Sequence, residues 1–186
     1  DEAEDVFLMK EMGADACRVG HMPHSRRFME LCDKEGLLVW VETTAVKETS
    51  NTPRGRANYL RQTREIVEQY RNHPSVFCWS IFNEIRSEDC ETLSSLREAR
   101  RIFESCDPTR QVVAAGSRPV LKILNAIPTA FAFNCYPQWY DYPAEWYGSR
   151  ENQTMKNCLD VFLASTGRES VGVSEYGGGG SFGQHA

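Results

Sequence analysis

Val76-Phe77-Cys78-Trp79-Ser80-Ile81-Phe82 is a near-continuous apolar run that stops at Asn83-Glu84. Such a run reads as a strand covered on both faces, the kind that parallel sheets contain. Upstream of it, a helical stretch over about 57–72 puts Tyr59, Thr63, Ile66, Val67 and Tyr70 on one face. A loop with Pro53 and Gly55 joins that helix to an earlier strand, Leu37 to Glu42. Before it come a helix carrying Phe28, Leu31 and Cys32 with Gly36 as its stop, the loop His21-Met22-Pro23-His24, and a short strand through Ala16, Cys17, Arg18 and Val19. The chain opens in a helix over about 3–12, with Val6, Met9 and Met12 spaced by three and Gly13 as C-cap.

Downstream the alternation continues. A helix over about 91–106 carries Leu93, Leu96, Ala99 and Phe103 and is halted by Asp107-Pro108. Gln111 to Ala115 is strand-like, Val120 to Asn125 a short helix, and Ala130 to Tyr136 another strand. An aromatic loop (Trp139, Tyr140, Tyr142, Trp146, Tyr147) leads to a helix over about 153–166 that turns Met155, Cys158, Leu159, Phe162 and Leu163 inward, and Val171 to Tyr176 is the last strand. Strands alternating with helices define an α/β chain built of βα units on a parallel sheet. A closed eight-unit barrel takes about 250 residues. With 186 residues, the chain is either a six-stranded open sheet or a (β/α)8 TIM barrel lacking a unit at each end, covering about strands 2 to 7. The opening helix has no strand before it and no helix follows the last strand, which favours the incomplete barrel.

Composition narrows the class. Acidic residues outnumber basic ones 26 to 21, the net charge is −5, and 41% of residues are hydrophobic and 11% aromatic, so residues 1–186 read as a single core-forming domain. The acidic balance argues against nucleic acid as a partner. No apolar run approaches the roughly 20 residues that span a bilayer, and Asp1-Glu2-Ala3-Glu4-Asp5 has neither the basic start nor the apolar stretch of a signal peptide. The cysteines form no C-x-x-C pair and read as buried free thiols rather than a metal, redox or disulfide framework.

In parallel α/β architectures the reactive groups lie at the carboxyl ends of strands. The polar residues that end apolar runs here are Arg18 with His21, Glu42, Asn83-Glu84, Ser174-Glu175-Tyr176 and Tyr136. Two rim glutamates, Glu84 and Glu175, on different strands of one barrel are the minimum equipment for cleaving a glycosidic bond. From spacing alone each could equally be a solvated strand end or half of an ion pair. His21 and His24 have metal-like spacing, but Pro23 interrupts it and no acid or cysteine completes a set, so zinc is not expected. His73, before Pro74, reads as a structural hydrogen-bonder, and Gly177 to Gly180 lacks the features of a phosphate loop. Trp139 and Trp146 could stack on sugar faces or simply pack the aromatic loop down.

Three segments carry a resemblance: Arg18-Val19-Gly20-His21-Met22-Pro23-His24; Asn72-His73-Pro74-Ser75-Val76 running into Trp79-Ser80-Ile81-Phe82-Asn83-Glu84; and Ser174-Glu175-Tyr176-Gly177. Together they resemble the catalytic TIM barrel of glycoside hydrolase family 2, across almost the whole chain and in order. The resemblance implies a retaining exo-glycosidase, with Glu84 as general acid/base and Glu175 as nucleophile. It further implies that Asn83 binds the sugar 2-hydroxyl, Arg18 and Tyr136 hydrogen-bond the nucleophile, His21 faces sugar hydroxyls and Trp139 contacts substrate.

Asn134-Cys135-Tyr136-Pro137-Gln138-Trp139-Tyr140, and Gly177 to Ser181 followed by Gln184-His185, look most like bacterial β-galactosidases, so a terminal β-D-galactoside is the expected substrate. β-Glucuronidase, or β-mannosidase, is the alternative within the family. Val41-Glu42-Thr43-Thr44 stands where large β-galactosidases carry an acid-rich magnesium site, so no metal or other cofactor is expected, whether magnesium or sodium. The family's flanking β-sandwich domains and its first and last barrel strands are expected outside residues 1–186. An exposed sheet edge on each side would then invite self-pairing as a homo-oligomer, and a reading of another class is an inactive fragment that needs the missing segments. The expected compartment is a bacterial cytoplasm or periplasm.

Overall fold

The computed structural model describes residues 1–178. In chain order the elements are α1 (Glu2–Glu11), β1 (Ala16–Arg18), α2 (Arg26–Glu35), β2 (Leu38–Glu42), α3 (Pro53–Tyr70), β3 (Val76–Asn83) and α4 (Cys90–Cys106). They continue with β4 (Gln111–Gly116), α5 (Lys122–Asn125), β5 (Ala132–Asn134), α6 (Ala144–Tyr147), a 3-10 turn (Arg150–Asn152), α7 (Met155–Thr166) and β6 (Gly172–Glu175). The alternation expected from the apolar periods is present throughout. The boundary of α3 differs: Thr52 caps it by accepting the Gly55 amide at 3.1 Å, and Pro53 opens its first turn, so residues expected in a loop are helical. β5 is shorter than Ala130 to Tyr136, and the aromatic loop contains α6. The Gly177–Ser181 and Gln184-His185 features fall largely or wholly outside the described residues.

All strands are parallel and lie side by side in sequence order, β1 to β6. Such a ribbon must curl if its first and last strands are to meet, and they do: the Arg18 guanidinium on β1 lies 2.5 Å from the Glu175 carboxylate on β6. The fold is therefore an incomplete (β/α)8 barrel, nearly closed at its carboxyl rim. β3 is buried along its length except for Phe77, which is 39% exposed, while the end strands β1 and β6 are open to solvent over part of their length.

Helices seal the outer face. Trp79 of β3 stacks on Phe103 of α4 with ring centroids 5.2 Å apart, and Phe133 of β5 stacks on Phe162 of α7 at 4.6 Å. α1 packs only partly as expected. Val6 is buried, but Met12, Phe7 and Leu8 are exposed, because the apolar residues of this helix are spread around it rather than gathered on one face. All cysteines are free thiols; Cys32, Cys78, Cys135 and Cys158 are buried, whereas Cys90 is exposed. His73 does hold structure: its Nδ1 lies 2.6 Å from Asp33, whose other oxygen accepts the Ser75 amide ahead of β3. Among the described residues no helix is long and apolar enough to cross a membrane.

Candidate active site

The rim residues come together through two irregularities in strand pairing. Register shifts occur between Ser80 and Asn83 where β3 meets β4, and between Phe133 and Asn134 where β5 meets β6. Breaks of this kind bend a strand and re-aim its side chains. Asn83 and Asn134, each just past a break, converge with Asn134 Nδ2 donating to Asn83 Oδ1 at 3.0 Å. Glu84 then leaves the strand at φ 53°, in the left-handed region that costs a non-glycine residue energy, while its amide is still anchored to the Ala115 carbonyl at 2.8 Å.

Arg18 ties the rim together. Its Nε donates to Glu42 Oε1 at 2.7 Å, Nη1 to Glu175 Oε1 at 2.5 Å and Nη2 to Asn83 Oδ1 at 2.7 Å. One planar guanidinium thus serves acceptors on β2, β3 and β6, which a lysine could not do. Glu42 is fully buried, and its second oxygen accepts from His21 Nδ1 at 2.8 Å. A buried carboxylate is tolerated because both oxygens are met by donors. The same engagement means that Glu42 does not fit a magnesium or sodium site, and among the described residues no group of His, Cys, Asp or Glu is arranged to hold a metal ion.

Glu175 is held from two sides. Arg18 meets one oxygen, and the Tyr136 hydroxyl donates to the other at 2.5 Å. Burial pushes this carboxyl's pKa up, but the Tyr136 and Arg18 hydrogen bonds and the Arg18 charge outweigh it and hold the group below the ordinary glutamate value. Tyr136 titrates above the ordinary tyrosine range, through burial first, then its hydrogen bond to Glu175 and the Glu175 charge, so it stays a proton donor. Glu84, by contrast, is met by a neutral donor: Asn134 Nδ2, 3.0 Å from Oε1, while Asn134 Oδ1 accepts from Ser174 Oγ at 2.7 Å. Unlike surroundings are how one cleft assigns two carboxyls different tasks.

The cleft above the rim has a volume of about 560 Å³, and His21, Asn83, Glu84, Tyr136 and Glu175 line it together with Tyr140, Tyr142 and Trp146. Arg18 is bonded to two of its lining residues, Asn83 and Glu175. Trp139 is not on the cleft wall: it is 53% exposed and its ring lies against Gly178. Asn134 escaped sequence reasoning as a site residue because β5 seemed to run on to Tyr136. The strand-end rule applied to Ala132-Phe133-Asn134 would have found it. Lys47, Arg86 and Arg118, also on the cleft wall, gave no signal beyond being ordinary loop cations.

A nearly closed α/β barrel with two carboxyls on its carboxyl rim, one gripped by arginine and tyrosine and the other by an amide, is the architecture of barrel enzymes that act through paired carboxyl groups. The chain belongs to glycosyl hydrolases family 2, whose TIM barrel domain profile matches residues 2–160. It is 32% identical over 185 residues to a β-glucuronidase of Bacteroides fragilis, covering 96% of this chain and 25% of that protein. It is 31% identical over 126 residues to the β-galactosidase BoGH2A of Bacteroides ovatus, covering 63% of this chain and 15% of that one. In three dimensions it superposes on an FMN-binding β-glucuronidase from Facaelibacterium prausnitzii L2-6 with a TM-score of 0.87 and 28% identity, covering 100% of this chain and 28% of the other. The chain thus spans about a quarter of the length of the first curated relatives it matches.

Proposed function

We propose that this barrel segment carries the catalytic centre of a retaining β-glycosidase that releases terminal β-D-glucuronic acid. The observation that supports the chemistry best is the asymmetry between Glu175, kept ionised by Arg18 and Tyr136, and Glu84, whose carboxyl is bonded among the described residues to Asn134 alone. Glu175 attacks the anomeric carbon while Glu84 gives its proton to the departing oxygen; the bond to the leaving group breaks as a glycosyl ester forms. Water then attacks the same carbon and passes a proton to Glu84, the ester bond breaks, and the sugar leaves with its β configuration. Asn83 Oδ1 takes two donors, so its NH2 is oriented as a donor for the sugar 2-hydroxyl, a contact that strengthens in the transition state.

The choice of sugar rests on likeness. The β-glucuronidase of Bacteroides fragilis is 32% identical over 96% of the chain, whereas a β-galactosidase of Vibrio vulnificus is 27% identical over 95% of it. That shifts the preference from the galactoside expected from residues 134–140 to the glucuronide. The galactoside remains the second reading on the strength of that same segment.

The test is labelling by 2-deoxy-2-fluoroglucuronyl fluoride, beside its galactosyl counterpart, followed by peptide mass spectrometry. The glucuronyl adduct is expected on Glu175 and to vanish in Glu175→Gln. Faster labelling by the galactosyl reagent would overturn the sugar assignment, and an adduct on another residue, or none, would overturn the mechanism. With 4-nitrophenyl β-D-glucuronide, Glu84→Gln should slow the first step less than it does for poorer leaving groups, and Glu175→Gln should abolish turnover.

A further inference from the structure

We propose that the cleft holds a cationic subsite for the leaving group, built from Lys47, Arg86 and Arg118, which selects saccharide leaving groups carrying a sulfate or carboxylate. The inference rests on Glu84 being the acid/base. All three cations line the same cleft as Glu84 and Glu175. Among the described residues none of them is in an ion pair, and residues 179–186 contain no aspartate or glutamate to supply one. In a chain of net charge −5 this is an uncompensated positive rim.

Backbone bonds fix the cations around Glu84. The Lys47 amide donates to the Asn83 carbonyl at 2.9 Å and the Arg86 amide to the Lys47 carbonyl at 3.1 Å, so both residues are tethered to the segment that carries Glu84. Lys47 reaches this position through a left-handed backbone, φ 62°. Arg118 follows β4, the neighbour of β3, and its guanidinium carbon stands 5.8 Å from the Trp146 ring centroid. Stacking of that kind leaves the edge N–H donors of the guanidinium unspent. None of these backbone bonds reaches β6, the strand that carries Glu175.

A general acid must sit beside the oxygen it protonates, so groups clustered around Glu84 face the leaving group rather than the sugar bonded to Glu175. A neutral leaving group would strip water from the cations and return only hydrogen bonds to its hydroxyls, whereas an anionic one would also pair with their charge. The positive rim also offsets the repulsion that Glu84 and Glu175 exert on an incoming anion, so charge favours one class of leaving group over another.

The test is calorimetric titration of the chain with N-acetylglucosamine 6-sulfate, with glucuronate and with neutral N-acetylglucosamine, at low and high ionic strength. The sulfated sugar is expected to bind at least tenfold more tightly than its neutral parent, with the preference shrinking in salt. That preference should be lost in Arg86→Gln/Arg118→Gln and reduced in Lys47→Gln, with circular dichroism confirming the fold. Glucuronate is the proposed product and reports the sugar site: its binding should survive the double substitution, and its loss there would assign the cations to the sugar and refute the subsite. Equal affinities, no binding of any probe, or a preference that survives the double substitution would overturn it. Because binding is read without turnover, these failures are separate from failure to label Glu175. If the double variant instead lost its preference for glucuronyl over galactosyl fluoride, which has no saccharide leaving group, the cations would serve the sugar itself and the subsite would be refuted.

Discussion

Arg18 and Glu175, on the first and last strands, are joined by an ion pair of 2.5 Å, and the same guanidinium holds Glu42 at 2.7 Å. One side chain thus closes the arc of the sheet and compensates a fully buried carboxylate. Arg18→Met should destabilise the chain by about 3–5 kcal/mol, because it leaves Glu42 charged and buried with only His21 beside it. Adding Glu42→Leu should recover part of that loss, since replacing both members of a buried pair by apolar groups is often nearly neutral. Urea unfolding of the single and double variants would check this; no recovery would mean that Arg18 acts mainly through Glu175.

Tyr136 donates to Glu175 and helps to hold its pKa below the ordinary value. Removing the hydroxyl in Tyr136→Phe weakens the forces that oppose burial, so the pKa of Glu175 rises. The nucleophile must be ionised to attack, and the acid limb of the kcat/KM profile should therefore move to higher pH, with a loss of about 10-fold or more above it. An acid limb that stays in place would assign that limb to another group.

Asp107 shows the same logic away from the cleft. Its carboxylate accepts from the buried Trp79 Nε1 at 3.0 Å, from Arg110 at 2.6 Å and from the Thr109 hydroxyl at 2.6 Å. Burial pushes its pKa up, but these donors hold it below the ordinary aspartate value. A group depressed in the folded state stabilises above its unfolded pKa of about 3.9, and that stability is lost as pH falls through the lower folded value. Asp107→Asn should narrow the stability difference between neutral and acid pH, and Asp107→Ala should cost about 1–3 kcal/mol by orphaning the Trp79 N–H. Chemical denaturation across that pH range would reveal both effects.

Gly116 ends β4 beneath the Phe131 ring. A Cβ there would lie 2.6 Å from Phe131 Cζ and 3.1 Å from Asn125 Oδ1, both in buried residues. Gly116→Ala should therefore destabilise by about 1–3 kcal/mol through overpacking. If the clash is the cause, Phe131→Leu should lower the cost of the alanine when the two are combined, as a thermal melt of the double-mutant cycle would show.

Much of this architecture is legible in local pattern. Val76 to Phe82 announces a buried parallel strand because a strand covered on both faces needs apolar residues at every position, and Thr52-Pro53 announces a helix start to a reader who weighs capping above loop composition. What escaped was local geometry that only pairing creates. Nothing in Ala132-Phe133-Asn134 states that a register shift will turn Asn134 toward Glu84. Nor does the charge of Lys47, Arg86 or Arg118, taken singly, say that three separate loops converge on one cleft.

The sequence by itself determined the order of strands and helices, the all-parallel alternation and the identity of the polar residues at strand ends, since these follow from apolar periodicity and chain stops within a few residues of one another. Only the tertiary structure decided that Arg18 would serve Glu42, Asn83 and Glu175 at once and that Trp139 would lie outside the cleft. Those outcomes depend on sheet curvature and strand register, which bring residues more than a hundred positions apart in the chain within hydrogen-bond reach and are set by the packing of all the strands and helices together.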